Sequence, residues 1–290
     1  MTLYRRAKID GIFQPHKGFR ATLRSIEDVT RDGRRADHRG GVHNHHGPEP
    51  EMTMDEKGPA AETVRATEME LKASDGKLVV ADLYKTQAGS SVLVLLFHQA
   101  RSSAAEYAPI AARLVAEGYD CLATDQRSGG DMYQPANRIG GPSASYMAAY
   151  PDMVGALEWA KGKGYKTIVA WGSSYSASLA LKLAAEHDGL DAVLAFSPGE
   201  YFDEDTLVKD WNMKVQVPTL MAMTPEEGEE GGQLLYEASS HSEARKRADM
   251  FVSFPDGVHG SSTLREDKNP KSYQKYFQAA VSFLKANAAP

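Results

Sequence analysis

At 290 residues, with 42% hydrophobic and 25% charged side chains, the chain has the composition of an ordinary globular protein. A formal net charge of −6 argues against nucleic acid or an anionic membrane surface as its main partner. No apolar run approaches the roughly 18–20 residues needed to span a bilayer. The single cysteine, Cys121, excludes an internal disulfide framework and fits a reducing compartment such as the cytoplasm.

The first stretch, residues 1–61, is rich in charge, Gly, Pro and His and lacks sustained periodicity, so it is expected to be a flexible extension. His43, His45 and His46 lie close enough in sequence to share a metal. No Cys or ordered carboxylate framework accompanies them, and a solvated tail is the simpler reading. Met52 and Met54 follow this tract, and either could be the true start of translation.

From residue 62 to 290 short β-type runs alternate with helical ones, the pattern of a βαβ parallel sheet. Residues 63–72 and 77–84 read as an antiparallel hairpin around Ser74-Asp75-Gly76. Residues 91–97 are a near-continuous apolar run, as expected of a central strand covered on both faces. A helix is predicted over 104–117 with Gly118 as its stop, then a strand over 119–124 that would bury Cys121 as an inert thiol. Helices over 145–163, 175–186 and 272–287 and strands over 166–171, 190–196, 218–223 and 250–254 complete the pattern. The sum is a doubly wound, mostly parallel α/β sheet with helices on both faces and no large cap. Ligands bind such sheets beyond the C-terminal ends of the strands.

Three of those strand ends carry reactive side chains. Residues 169–171 run through Gly172-Ser173-Ser174-Tyr175-Ser176 directly into a helix. A nucleophile at such a junction needs small residues two places to either side, because the two backbones nearly touch. Gly172 and Ser176 flank Ser174 in that way, whereas Ser173 would have Trp171 and Tyr175 at the same offsets. Serines at a helix start also serve as simple caps, which is the competing explanation.

His259 lies in the glycine-flanked loop Asp256-Gly257-Val258-His259-Gly260 after the last strand, where an imidazole can reach a neighbouring strand end. After the strand over 218–223 comes Thr224-Pro225-Glu226-Glu227-Gly228-Glu229. A carboxylate from this loop would hold the imidazole in its tautomer and stabilise the imidazolium. Glu227 has the better offset, Glu226 is the rival, and Glu229 is more distant. The chain order Ser, acid, His is one of the known orders for such a triad.

With these residues in place, the chain from about residue 62 resembles the α/β-hydrolase superfamily, and within it the small-core serine esterases similar to dienelactone hydrolase. Two further stretches carry the resemblance. Leu96-Phe97-His98-Gln99-Ala100 looks like the family's His-Gly-type loop. The resemblance implies an oxyanion hole made by the backbone N–H of Tyr175 and of Ala100, with Gln99 as the alternative to Ala100. Asp125-Gln126-Arg127-Ser128-Gly129 is similar to the family's Asp-x-Arg-Gly segment, and Asp125 and Arg127 are expected to brace loops. Two departures stand out: Ser176 replaces the commoner glycine of the elbow, and glutamate replaces the usual aspartate.

The function implied is hydrolysis of carboxylic esters through an acyl-enzyme, with Ser174, His259 and Glu227 as triad and neither metal nor organic cofactor. The partner would be a small soluble ester. A peptidase or thioesterase on the same core is the nearest alternative, and a non-catalytic binding protein the more distant one. Roughly 20 residues between the strands ending at Phe196 and starting at Pro218 are too few for a multi-helix lid. An open pocket is therefore expected, walled by Met132, Tyr133, Tyr201 and Trp211.

Overall fold

The computed structural model describes residues 64–139, 142–203, 206–240 and 249–290. The expected extension over 1–61 and its histidines lie outside the described residues.

Among the described residues the strands are β1 (Thr67–Lys72), β2 (Leu78–Tyr84), β3 (Val92–Phe97), β4 (Asp120–Thr124), β5 (Thr167–Ser173), β6 (Ala192–Phe196), β7 (Thr219–Ala222) and β8 (Met250–Val252). They form one sheet in the order β1-β2-β4-β3-β5-β6-β7-β8. β2 pairs antiparallel with β1 and with β4. All pairings from β4 through β8 are parallel. The helices are α1 (Ala108–Ala116), α2 (Tyr150–Lys161), α3 (Tyr175–Glu186), α4 (Leu207–Lys214), the single turn α5 (Pro225–Glu227), α6 (Gln233–Ser240) and α7 (Tyr273–Asn287).

The apolar run of β3 shows why the sheet is covered twice. Its alternate residues Leu93, Leu95 and Phe97 join a core built with α2, α3 and α4. Val92, Val94 and Leu96 join a second core with α1 and α7. A strand buried on both faces cannot alternate apolar with polar, and each fully buried Leu or Val stabilises the fold by about 1.5–3 kcal/mol. Cys121 sits in the second core, and burial pushes its thiol well above the ordinary range.

Two predicted helices start later than their periodicity suggests, both for the same reason. Over 104–117 the helix proper begins at Ala108, with Pro109 in its first turn, after a separate turn at Ala104–Glu106. Over 145–163 it begins at Tyr150, with Pro151 in its first turn, after a turn at Met147–Ala149. Proline lacks the N–H that a helix interior needs but is accommodated where the first N–H groups have no partner.

The span between β6 and β7 is not wholly loop, because it contains α4, which buries Val208 and Trp211. The segment after β7 is also helical rather than open. Thr224 caps α5, its side chain accepting the Glu227 amide while the Glu227 carboxylate accepts the Thr224 amide.

Candidate active site

Ser174 stands between β5 and α3 with φ 61° and ψ −128°. A non-glycine residue in that region carries strain on the order of 1–3 kcal/mol, tolerated only where surroundings impose it. The imposition is visible at Gly172, where a Cβ would lie 2.3 Å from the Ser176 carbonyl and 2.5 Å from Ala177 Cα. Ser176, in place of a glycine, ties the turn to its neighbour: its Oγ accepts the Ser173 amide at 2.9 Å and donates to the Phe97 carbonyl of β3 at 2.7 Å.

The three side chains expected to act together form one hydrogen-bonded line. Ser174 Oγ donates to His259 Nε2 at 2.7 Å, and His259 Nδ1–H donates to Glu227 Oε1 at 2.5 Å. The tautomer follows from the carboxylate, which accepts only. Glu226 and Glu229 are exposed. The capping box explains the choice, since only the third residue of the turn folds its carboxyl back over the N-terminus. The pattern Thr224-Pro225-Glu226-Glu227 is visible in the sequence and singles out Glu227 without reference to the fold.

Glu227 Oε2 is held by Ser197 Oγ at 2.7 Å and the Thr224 amide at 2.9 Å. Burial pushes this carboxyl up, but hydrogen bonds from His259, Thr224 and Ser197 outweigh it and leave it below its ordinary 4.5. The carboxylate therefore contributes stability above pH 4.5, and that contribution is lost as pH falls through the lower folded value. Urea midpoints of a Glu227→Gln variant should fall less than those of the parent between about pH 5 and pH 3.

Sequence reasoning missed Ser197. Its backbone is left-handed at φ 54°, and its hydroxyl donates to Glu227 while accepting the Gly260 amide at 2.8 Å, so it joins the acid to the histidine loop. Gly260 closes that loop against the elbow at φ +66°, where a Cβ would meet Ser173 Oγ at 2.5 Å.

The loop after β3 is fixed by His98, which is fully buried. His98 Nε2 accepts the Gln126 amide at 2.9 Å and Nδ1–H donates to the Gln99 carbonyl at 2.7 Å. Burial holds this imidazole below its ordinary range, consistent with the neutral form. The carbonyl it grips belongs to the peptide whose N–H is that of Ala100, so gripping one end aims the other. Gln99, the alternative donor, already gives its own N–H to Glu106 Oε2 at 2.9 Å. The Tyr175 N–H opens α3, where the helix offers it no acceptor.

Asp125 and Arg127 brace loops. Asp125, fully buried, accepts from the Ala104 amide at 2.7 Å and from Arg138 Nε at 2.7 Å. Arg127 bonds Asp152 and Asp75. Of the four expected wall residues, Tyr201 lines a cleft, its ring edge-on to the His259 ring with centroids 6.5 Å apart. Trp211 is buried against Phe202, Tyr133 is buried with its hydroxyl on Ser262, and Met132 is exposed elsewhere. The cleft, about 440 Å³, is lined instead by Tyr146, Met147, Phe202 and Leu207 together with Tyr201, with Ser145 and Asp203 as its polar members. Tyr146 stacks on the Tyr175 ring with centroids 4.6 Å apart, and Ser174, His259 and Glu227 are not themselves among the lining residues. Among the described residues no group of three His, Cys, Asp or Glu side chains is arranged to hold a metal ion, and no helix is long and apolar enough to cross a membrane.

Sheet order, the strained serine turn and the crossovers on both faces define an α/β-hydrolase fold. Solved structures of that fold superpose on the chain. An esterase of Pyrococcus furiosus matches with TM-score 0.60 at 20% identity, over 77% of this chain and 93% of its own. Dienelactone hydrolase from Anabaena variabilis matches with TM-score 0.59 at 17% identity, over 78% and 99%. An acylaminoacyl peptidase of Pyrococcus horikoshii matches with TM-score 0.59 at 12% identity, over 77% of this chain but 42% of its own. No family model matches the chain, and no curated protein matches it by sequence.

Proposed function

We propose that this chain is a serine hydrolase that cleaves small carboxylic esters through an acyl-enzyme. The observation that carries the reading is the unbroken line from Glu227 through His259 to Ser174, with the serine on a strained turn at a helix N-terminus. As Ser174 Oγ attacks the carbonyl carbon, its proton passes to His259 Nε2, and Glu227 stabilises the imidazolium. The oxyanion takes hydrogen bonds from the N–H groups of Tyr175 and Ala100. His259 then protonates the leaving alcohol. Water attacks the acyl-enzyme by the same route, and the carboxylic acid leaves with Ser174 restored. None of these steps calls for a metal or an organic cofactor.

The cleft supports a small substrate. Its volume lies at the lower end of ordinary ligand pockets, and its aromatic lining suits a short or planar apolar group. Thioesters and peptides pass through the same acyl-enzyme. The peptidase likeness covers less than half of that enzyme's length, so an ester is the first substrate to test. p-Nitrophenyl acetate and butyrate are expected to turn over at least about tenfold faster, in kcat/KM, than the palmitate. Preference for the palmitate overturns the small-substrate reading; inertness to all esters with turnover of thioesters or peptides overturns the ester reading.

A further inference from the structure

The reaction as written uses no group from the turn Ala104–Glu106, yet Glu106 is fully buried where three loops of the site meet. Its Oε2 accepts the amide of Gln99, the residue before the oxyanion donor Ala100. Its Oε1 accepts from Ser173 Oγ at 2.7 Å, the residue before the nucleophile. Ser173 Oγ in turn accepts the amide of Ser261 at 2.8 Å, two residues beyond His259.

Arg265, nearby, does not neutralise this carboxyl through a direct bond. Its Nη1 donates to the backbone carbonyls of Ala105 and Glu106 at 3.1 and 2.9 Å. Burial pushes the Glu106 carboxyl above the usual carboxylate range, against hydrogen bonds from Ser173, Gln99 and Ser102. A buried carboxyl without an ion-pair partner is a costly way to join loops. The geometry shows why another side chain would not serve. Donors reach both of its oxygens, and a carboxylate can accept at both, whereas an amide must present a donor at one of them.

We propose that Glu106 is a positioning residue for the reaction: it clamps the oxyanion loop to the serine elbow and, through Ser173, to the histidine loop. Together with the His98 and Ser176 bonds, Glu106 then couples the position of the Ala100 N–H to that of Ser174 Oγ across loops that would otherwise move independently. Oxyanion donors act only in the transition state, so a displaced donor lowers kcat and leaves KM nearly unchanged. The proposal rests on the ester-hydrolase reading above.

The test compares Glu106→Gln, and Ser173→Ala as a second variant should the first not fold, with the parent by kinetics on p-nitrophenyl acetate and by amide hydrogen exchange. Glu106→Gln keeps the volume but breaks one arm of the clamp; Ser173→Ala removes the relay to Ser261. Expected in either folded variant is a fall in kcat of about 10- to 100-fold with KM within about twofold. Faster exchange is expected at Gln99 or Ser261, with protection in α1 and α7 unchanged. A kcat within about threefold of the parent overturns the positioning role. A loss carried by KM overturns it too, and unchanged exchange at both amides overturns the clamp. An inert parent, or ester hydrolysis that survives Ser174→Ala, instead overturns the ester-hydrolase reading and takes the positioning role with it. Exchange then still decides whether the clamp exists.

Discussion

Ser174→Ala is expected to lower kcat/KM for p-nitrophenyl acetate by a factor on the order of 10⁴ to 10⁶ while leaving the fold intact. The alanine removes one oxygen atom from a nearly covered position at the head of α3, outside the two apolar cores. It also leaves a methyl-bearing residue at φ 61°, so the strain of the turn persists and little stability should be gained or lost. The residual rate would come from the amides of Tyr175 and Ala100 acting on a water molecule. A steady-state assay with active-site labelling by a fluorophosphonate checks this. Labelling and turnover should disappear together, and an active, folded Ser174→Ala protein overturns the assignment of the nucleophile.

Glu227→Ala is expected to cost about 10³- to 10⁴-fold in kcat, and Glu226→Ala less than about twofold. The contrast follows from geometry. Glu227 holds His259 Nδ1–H at 2.5 Å and is itself held by Ser197 and Thr224, whereas Glu226 is exposed. Without the carboxylate the imidazole loses the partner that fixes its tautomer and balances its charge during proton transfer. Removing Glu227 also ends the capping box of α5, so a loss of about 1 kcal/mol in stability should accompany the kinetic effect. Thermal unfolding at neutral pH separates the two. Equal kinetic losses in both variants would mean that the turn, not one carboxylate, is what the site requires.

Much of this architecture is legible in the sequence because the signals are local. The run of β3 is apolar at every position, the elbow needs small residues at Gly172 and Ser176, and the loop around His259 is marked by glycines. Even the choice of Glu227 is encoded locally, in the capping box that begins at Thr224. Pro109 and Pro151 mark the late helix starts at Ala108 and Tyr150, since proline suits the first turn of a helix and not its interior. α4 was harder to see. Its short polar sequence becomes helical because Val208 and Trp211 are buried against α3 and its neighbours, and packing supplies what propensity does not.

The sequence by itself determined which residue types stand at the strand ends, and hence the candidates Ser174, His259 and Glu227. Local spacing and turn chemistry act within a few residues, so they can be read one segment at a time. Only the tertiary structure decided how those segments meet. Ser173 and Ser197 lie at the ends of β5 and β6 and Glu106 in the turn before α1, and their hydroxyls and carboxyl gain meaning only when β3, β5 and β6 lie side by side. Tyr146 and Tyr201 likewise line one cleft although far apart in sequence, the first stacked on Tyr175 and the second edge-on to His259. Contacts between residues far apart in the chain depend on the register of the whole sheet, which no single stretch of sequence contains.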